Sequence, residues 1–137
     1  MLKTYYASVL ILSSISGHLL RSDDPDKPLT LKHAESGWII YVESNREVLT
    51  AISTDGKVVM TVNVVKQAFD KEKYGRKPKI GEIVDQTWKE MIRMGTPSDI
   101  EGKPLRKSYY LAISFSGTRE FGFLDLKTGK YHYQGGL

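Results

Sequence analysis

Glu47-Val48-Leu49-Thr50-Ala51-Ile52-Ser53-Thr54-Asp55-Gly56-Lys57-Val58-Val59-Met60-Thr61-Val62-Asn63-Val64 is the stretch that decides the fold. Two β-branched, apolar arms flank Asp55-Gly56, the dipeptide that best tolerates the positive φ angles of a type I′ turn. The segment therefore reads as a β-hairpin. In its second arm Val58, Met60, Val62 and Val64 share one face by strand periodicity, and that face is expected to line the core. Upstream, Trp38, Ile40 and Val42 alternate with Ile39, Tyr41 and Glu43, consistent with a further strand.

Downstream the last third repeats the pattern. Tyr109, Leu111, Ile113 and Phe115 alternate with Tyr110, Ala112 and Ser114, and Gly117 marks a turn. Phe121-Gly122-Phe123-Leu124-Asp125-Leu126 and Tyr131-His132-Tyr133 flank the turn Lys127-Thr128-Gly129-Lys130. Between the two β regions the text changes. Lys66–Lys73 reads as a short helix ending before Gly75. Ile80, Ile83, Val84, Trp88, Met91 and Ile92 recur at three and four, which predicts one apolar helical stripe over residues 80–94. A rival parse places a strand at Lys79–Val84 with a helix only afterwards. Thr96-Pro97-Ser98-Asp99 has the form of an N-cap with Pro at the first helical position, and Gly102 would stop that helix after one turn. The fold class expected is α+β: mainly antiparallel β-hairpins forming a curved sheet or small open barrel, with a helical insert near residues 80–94.

Composition limits the chemistry. The chain has 137 residues, 26% charged and 40% hydrophobic, enough for one globular domain and no more. It contains no cysteine, which excludes disulfides, thiol catalysis and cysteine-bound zinc. Between Lys3 and Arg21 there is no charged residue. Tyr5–Leu12 is apolar and Ser13–Gly17 is small, the layout of a secretory signal peptide over residues 1–16. The competing reading is a native strand built on Tyr5, Tyr6, Val9 and Ile11. Residues 17–36, punctuated by Pro25 and Pro28, read as a linker, leaving 37–137 as the β-rich domain. The apolar run is too short for a membrane span, which needs about 20 residues.

The two hairpins also resemble each other. Ile52-Ser53-Thr54-Asp55-Gly56-Lys57 and Asp125-Leu126-Lys127-Thr128-Gly129-Lys130 are similar to the hairpin repeat of quinoprotein-like β-propellers, in which an aliphatic strand leads into an Asp-Gly-Lys or Thr-Gly-Lys turn. The aromatic that follows the Gly in that repeat is replaced by Met60 or His132. A propeller needs at least about four blades, so a quinone cofactor is not implied. Residues 37–137 resemble small bacterial β-rich proteins with a Tyr-x-Glu-Ser segment, here Tyr41–Ser44, and a closing Phe-Gly-x-x-Asp-Leu-x-Thr-Gly run, here Phe121–Gly129. That resemblance carries no activity with it.

Catalytic and ligand motifs are missing. No Gly-Lys pair has the second Gly of a phosphate loop, and there is no Gly-x-Ser-x-Gly elbow. His33-Ala34-Glu35 has the His-x-Glu of zinc deaminases without the cysteines. His18, His33 and His132 lie apart in sequence, each expected on a surface or loop. Asp23, Asp24 and Asp26 lack calcium-loop spacing. Glu43 and Glu47 flank a turn and read as solvated strand-end charges, although paired carboxylates can do acid–base work. No metal and no cofactor is expected.

Charge is what remains. Residues 65–137 carry 14 basic and nine acidic groups, whereas residues 1–64 carry six and seven. Lys71, Lys73, Arg76, Lys77 and Lys79 form one cluster, and Lys103, Arg106 and Lys107 another. With Tyr109, Tyr131 and Tyr133 interleaved, Lys73, Arg76, Lys77, Lys79, Arg106 and Lys107 form the candidate binding set. The favoured function is a non-enzymatic, periplasmic or secreted bacterial protein that binds another macromolecule, most simply a protein, as an inhibitor or immunity-type partner. The alternative is a cytoplasmic nucleic-acid binder using the basic half and its aromatics. A third option is an enzyme assembled by folding around His33, Glu43 or His132.

Overall fold

The structure is a computed structural model that describes residues 19–20, 29–69 and 78–136. Nine strands and two short helices fall in these residues. They are β1 (Leu19–Leu20), β2 (Leu29–Lys32), β3 (Ile39–Val42), β4 (Val48–Ile52), β5 (Val58–Asn63), α1 (Val64–Ala68), β6 (Lys79–Gln86), α2 (Trp88–Arg93), β7 (Tyr110–Ser116), β8 (Glu120–Asp125) and β9 (Tyr131–Gly136). They build two antiparallel sheets, one ordered β9-β8-β7-β6-β1 and one ordered β2-β3-β4-β5. The β-rich, antiparallel reading is what the chain adopts. The strands do not close into a barrel, and helix is a minor component.

The main core lies between the sheets. Ile40, Val42, Leu49 and Ala51 from the smaller sheet meet Ile80, Ile83, Leu111, Ile113 and Leu124 from the larger, with Val64, Val65 and Phe69 closing one side. Alternation along β7 sends Leu111, Ile113 and Phe115 into this core. Tyr110 and Ala112 go to the opposite face, where Met91, Leu105, Phe123 and Trp88 form a second, smaller core under α2. The central sheet is thus covered on both faces, so β7 is apolar along nearly its whole length.

Several sequence expectations change. The helix over 80–94 is replaced by strand β6 followed by the six-residue α2, as in the rival parse. Thr87 caps α2 in a reciprocal capping box with Glu90. The 66–73 helix starts earlier, at Val64, because the Asn63 side chain accepts from the Lys66 N–H and ends the strand there. No helix forms after Thr96. Asp99 Oδ1 instead accepts from the N–H groups of Glu101 and Lys103, both at 2.9 Å, and holds a tight loop closed by the Ser98–Pro104 bridge. Within the expected linker, Leu29-Thr30-Leu31-Lys32 is a strand paired with β3, and Leu19–Leu20 pairs with β6. The prolines of that segment precede the strand rather than exclude one.

The β4–β5 hairpin is present, but its turn is not type I′. Gly56 has φ +85° and Asp55 has no positive φ. The Gly56 N–H bonds Ser53 C=O and the Ser53 N–H bonds Lys57 C=O, the pattern of a type I turn followed by a left-handed glycine. A bulge follows, since Ala51 faces Met60 but Ile52 faces Val58. One extra residue reverses the side-chain phase. Val58, expected in the core, is therefore 64% exposed, while Val64 is fully buried.

Gly122 marks the tightest approach in the larger sheet. A Cβ there would collide with the His132 carbonyl and the Tyr131 ring. Gly122→Ala is expected to lower the unfolding free energy by about 2 kcal/mol, as overpacking of a fixed backbone does. Urea denaturation would show this as a lower midpoint at unchanged slope, and an unchanged midpoint would contradict the packing.

Candidate functional site

The chemistry-bearing side chains gather at two places. The first is the turn after β2. His33 lies in a loop, as one arm of the expectation had it, but is fully buried rather than on the surface. Its Nε2–H donates to the Tyr110 carbonyl at 2.8 Å, because a carbonyl can only accept. That assignment makes Nδ1 the acceptor, and it takes the Ser36 hydroxyl at 2.8 Å and the Ser36 N–H at 3.2 Å. Asp85, from β6, brings Oδ1 to 3.5 Å from His33 Nε2, and its Oδ2 accepts the Ala34 N–H at 3.0 Å. Glu35 Oε1 accepts the first N–H of α2, that of Trp88, at 3.3 Å. Three consecutive residues, His33, Ala34 and Glu35, are thereby tied to β7, β6 and α2.

Ser36, His33 and Asp85 have the composition of a nucleophilic triad. Their geometry is that of a tie. The imidazole has no exposed surface, its N–H is committed to a main-chain carbonyl, and the Ser36 hydroxyl also accepts the Trp38 N–H at 3.1 Å.

The second place is a cleft of about 240 Å³ over the outer edge of β9. Gln67 and Ala68 of α1 form one wall, residues 99–101 the other, and residues 130–133 the floor. Gln67 acts as a substitute strand, donating from Nε2 to the Gly129 carbonyl at 2.9 Å and accepting from the Tyr131 N–H at Oε1. Gln134 ties the far end of β9 to the opposite wall by donating to the Ser98 carbonyl at 2.8 Å. At the rim, Ile100 is 80% and Tyr133 39% exposed.

Electrostatics at the cleft follow from these contacts. The Lys103 and Glu101 N–H groups hold Asp99 below the usual carboxylate range, so it stays ionised. Partial burial, aided by the Lys130 charge, pushes His132 below its usual value, opposed by Asp125 and Asp99. Burial raises the Tyr131 phenol, and Tyr110, beneath His132, is pushed up to about 12 by burial and then by Asp125. The cleft thus combines two acidic residues, Asp99 and Glu101, with Lys130, a neutral imidazole at neutral pH and the tyrosines Tyr131 and Tyr133.

The described members of the candidate binding set, Lys79, Arg106, Lys107, Tyr109, Tyr131 and Tyr133, lie at several separate places. Lys73, Arg76, Lys77 and Lys71 lie outside the described residues, as do His18, the aspartates at 23, 24 and 26, and the segment 1–16. Lys79 is ion-paired with Glu47 at 3.0 Å and faces Ser116 at the end of β7 opposite Tyr110. Arg106 and Lys107 are exposed in the loop before β7. Tyr109 packs edge-on against Trp38 at 5.2 Å, with Lys127 Nζ 4.5 Å from its ring centre. Tyr131 packs edge-on against Phe115 at 5.7 Å. Of the set, Tyr131 and Tyr133 reach the cleft. Glu43 is exposed, whereas Glu47 also accepts from Asn63, so the two carboxylates do not share a site. Sequence reasoning missed Gln67, Asp99 and Ile100. Only Asp99, two residues after a proline and three before a glycine, carried a local turn signal.

Among the described residues no group of three or more His, Asp or Glu is placed to hold a metal ion, and no helix is long and apolar enough to cross a membrane. No protein-family model, no curated protein and no solved structure matches the chain.

Two outcomes are expected. His33→Ala should cost about 2 kcal/mol of stability, because it leaves the buried Tyr110 carbonyl without its donor. A double-mutant cycle with Asp85→Asn should show coupling of about 1 kcal/mol or more, and additivity would remove the tie. The second concerns pH. His132 binds a proton less readily folded than unfolded, so its contribution is complete above about 6.5, the unfolded value. It is then lost as pH falls through the lower folded value. NMR titration should place its midpoint below that of a free histidine, and His132→Gln should remove this part of the pH dependence.

Proposed function

We propose that this is a non-enzymatic, exported binding protein whose partner is another protein, and that the β9 cleft is where the partner is anchored. The observation that carries the reading is the cleft's make-up. An exposed isoleucine and an exposed tyrosine flank a recess that holds an ionised carboxylate and an uncharged imidazole. At about 240 Å³ the recess is smaller than the roughly 300–1,000 Å³ of ordinary small-molecule sites. It matches one anchoring side chain in an interface whose apolar rim excludes water. The Asp99 carboxylate beside tyrosine rings suits a lysine or arginine of the partner. Gln67 and Gln134 occupy backbone positions of the β9 edge, so the anchor enters as a side chain rather than as an added strand.

Export rests on the uncharged, apolar-then-small run before Arg21. An inhibitor or immunity-type role is the form of such binding that needs neither cofactor nor catalytic group. The nucleic-acid alternative draws less support. Tyr109 and Tyr131 are engaged with neighbouring aromatic rings, and Lys79 sits at the opposite end of the sheet from Arg106 and Lys107.

Crosslinking and affinity purification from the native source should recover one stoichiometric protein partner, and the purified protein should lack residues 1–16 by intact mass. Tyr133→Ala and Ile100→Asp should each weaken that complex about 10- to 100-fold while leaving the thermal midpoint unchanged. Repeated failure to recover a partner, or oligonucleotide binding that falls steeply with salt, would overturn the reading.

A further inference from the structure

The described strand edges are not treated alike. The β9 edge is occupied by the Gln67 side chain, and Gln134 Nε2 donates to the Tyr133 carbonyl of the strand itself. Edge strand β2 carries the charged, exposed Lys32. Among the described residues edge strand β5 has neither protection. From Val58 to Val65 it has no charged residue, and it reads Val-Val-Met-Thr-Val-Asn-Val-Val. Val58, Val59 and Thr61 are exposed. An uncharged, β-branched edge is what natural sheets avoid unless the edge is meant to pair.

The hydrogen-bond phase identifies the groups that are open. Val64 donates to the Glu47 carbonyl across the β4–β5 ladder. Alternation then makes Leu49–Val62 and Ala51–Met60 the hydrogen-bonded pairs, and Thr50–Thr61 a non-bonded pair. Thr61 therefore aims both its N–H and its C=O away from β4, and its hydroxyl lies 3.2 Å from that of Thr50 on the outer face.

We infer that β5 pairs with β5 of a second copy of this chain, antiparallel, about a two-fold axis through Thr61. The chemistry favours this occupant. One residue offering both a donor and an acceptor at the axis gives two reciprocal bonds, Thr61 N–H to the other copy's Thr61 C=O and the reverse, as an isologous interface requires. The antiparallel arrangement sets the hairpin tip of one copy, with Asp55, beside the start of α1 in the other, with exposed Lys66. The Ser53 hydroxyl holds the Asp55 carboxyl below its usual range, so Asp55 meets that lysine ionised. The charge pair occurs twice per dimer, and the two four-stranded sheets become one of eight strands.

Sedimentation equilibrium of the full chain should give twice the 15.5 kDa monomer mass. Thr61→Pro removes the outward N–H together with the hydroxyl facing Thr50, a backbone change edge strands tolerate, and should yield monomer. Val59→Lys, at an exposed position, supplies the missing charge and should do the same if the proline variant does not fold. Asp55→Lys should weaken association about tenfold, and Asp55→Lys combined with Lys66→Asp should restore it. A wild-type protein that stays monomeric up to about 1 mM overturns the inference. So does a dimer that survives both edge variants with native circular dichroism.

Discussion

The two sheets can share a core only because their backbones are pinned to each other at both ends of the interface. At one end the His33 imidazole reaches across to the Tyr110 carbonyl and to Asp85, and the turn's own N–H groups are taken up by Asp85 and the His33 Nδ1. At the other end the Ile80 N–H donates to the Arg46 carbonyl at 2.8 Å, with Lys79 and Glu47 paired alongside. A buried main-chain carbonyl left without a donor costs as much as a lost hydrogen bond. The apolar contacts between the sheets are non-directional, so these polar links are what select one relative placement from the many that would bury similar area.

The same requirement accounts for how the sheets end. Each exposed edge strand presents unpaired N–H and C=O groups that must find water, side chains or another chain. On β9 two glutamine amides take that role, one from α1 and one from the strand itself. The arrangement leaves a recess between α1 and the 98–104 loop, and the loop keeps its shape because Asp99 satisfies two of its N–H groups. Edge protection and cleft are thus one construction. On β5 no side chain performs this service, and its outer face presents a threonine pair in place of charge.

Where sequence and structure part, bulges explain most of the difference. In β6 the register shifts between Ile80 and Glu82, at Gly81, where a Cβ would come within 3.0 Å of the Ser116 nitrogen. The extra residue puts Ile80 and Ile83 on the same face. An apolar spacing of three, which in a regular chain marks a helix, is here a bulged strand. The bulge at Val59 turns Val58 out of the core by the same mechanism. Hairpins around Gly56 and Gly129 were legible because a left-handed turn residue is a local demand, and the alternation in β3, β7 and β8 because burial repeats every second residue. Of the cleft, Tyr131 and Tyr133 belong to the binding set read from the sequence, and Tyr133 is the exposed one of the two. Asp99, Gln67 and Ile100 could not, since nothing in their neighbourhood places them side by side.

By itself the sequence determined the antiparallel β class, the hairpin positions, the absence of cysteine chemistry and the location of most core residues. Each of these depends on contacts within about ten residues or on composition alone. Only the tertiary structure decided that there are two sheets, that His33 lies buried between them, and which edge is sealed and which is open. The bonds that carry those decisions join residues 51, 62 and 77 positions apart. A histidine is polar enough for a surface and small enough for a core, and its place depends on whether distant partners arrive to satisfy both ring nitrogens.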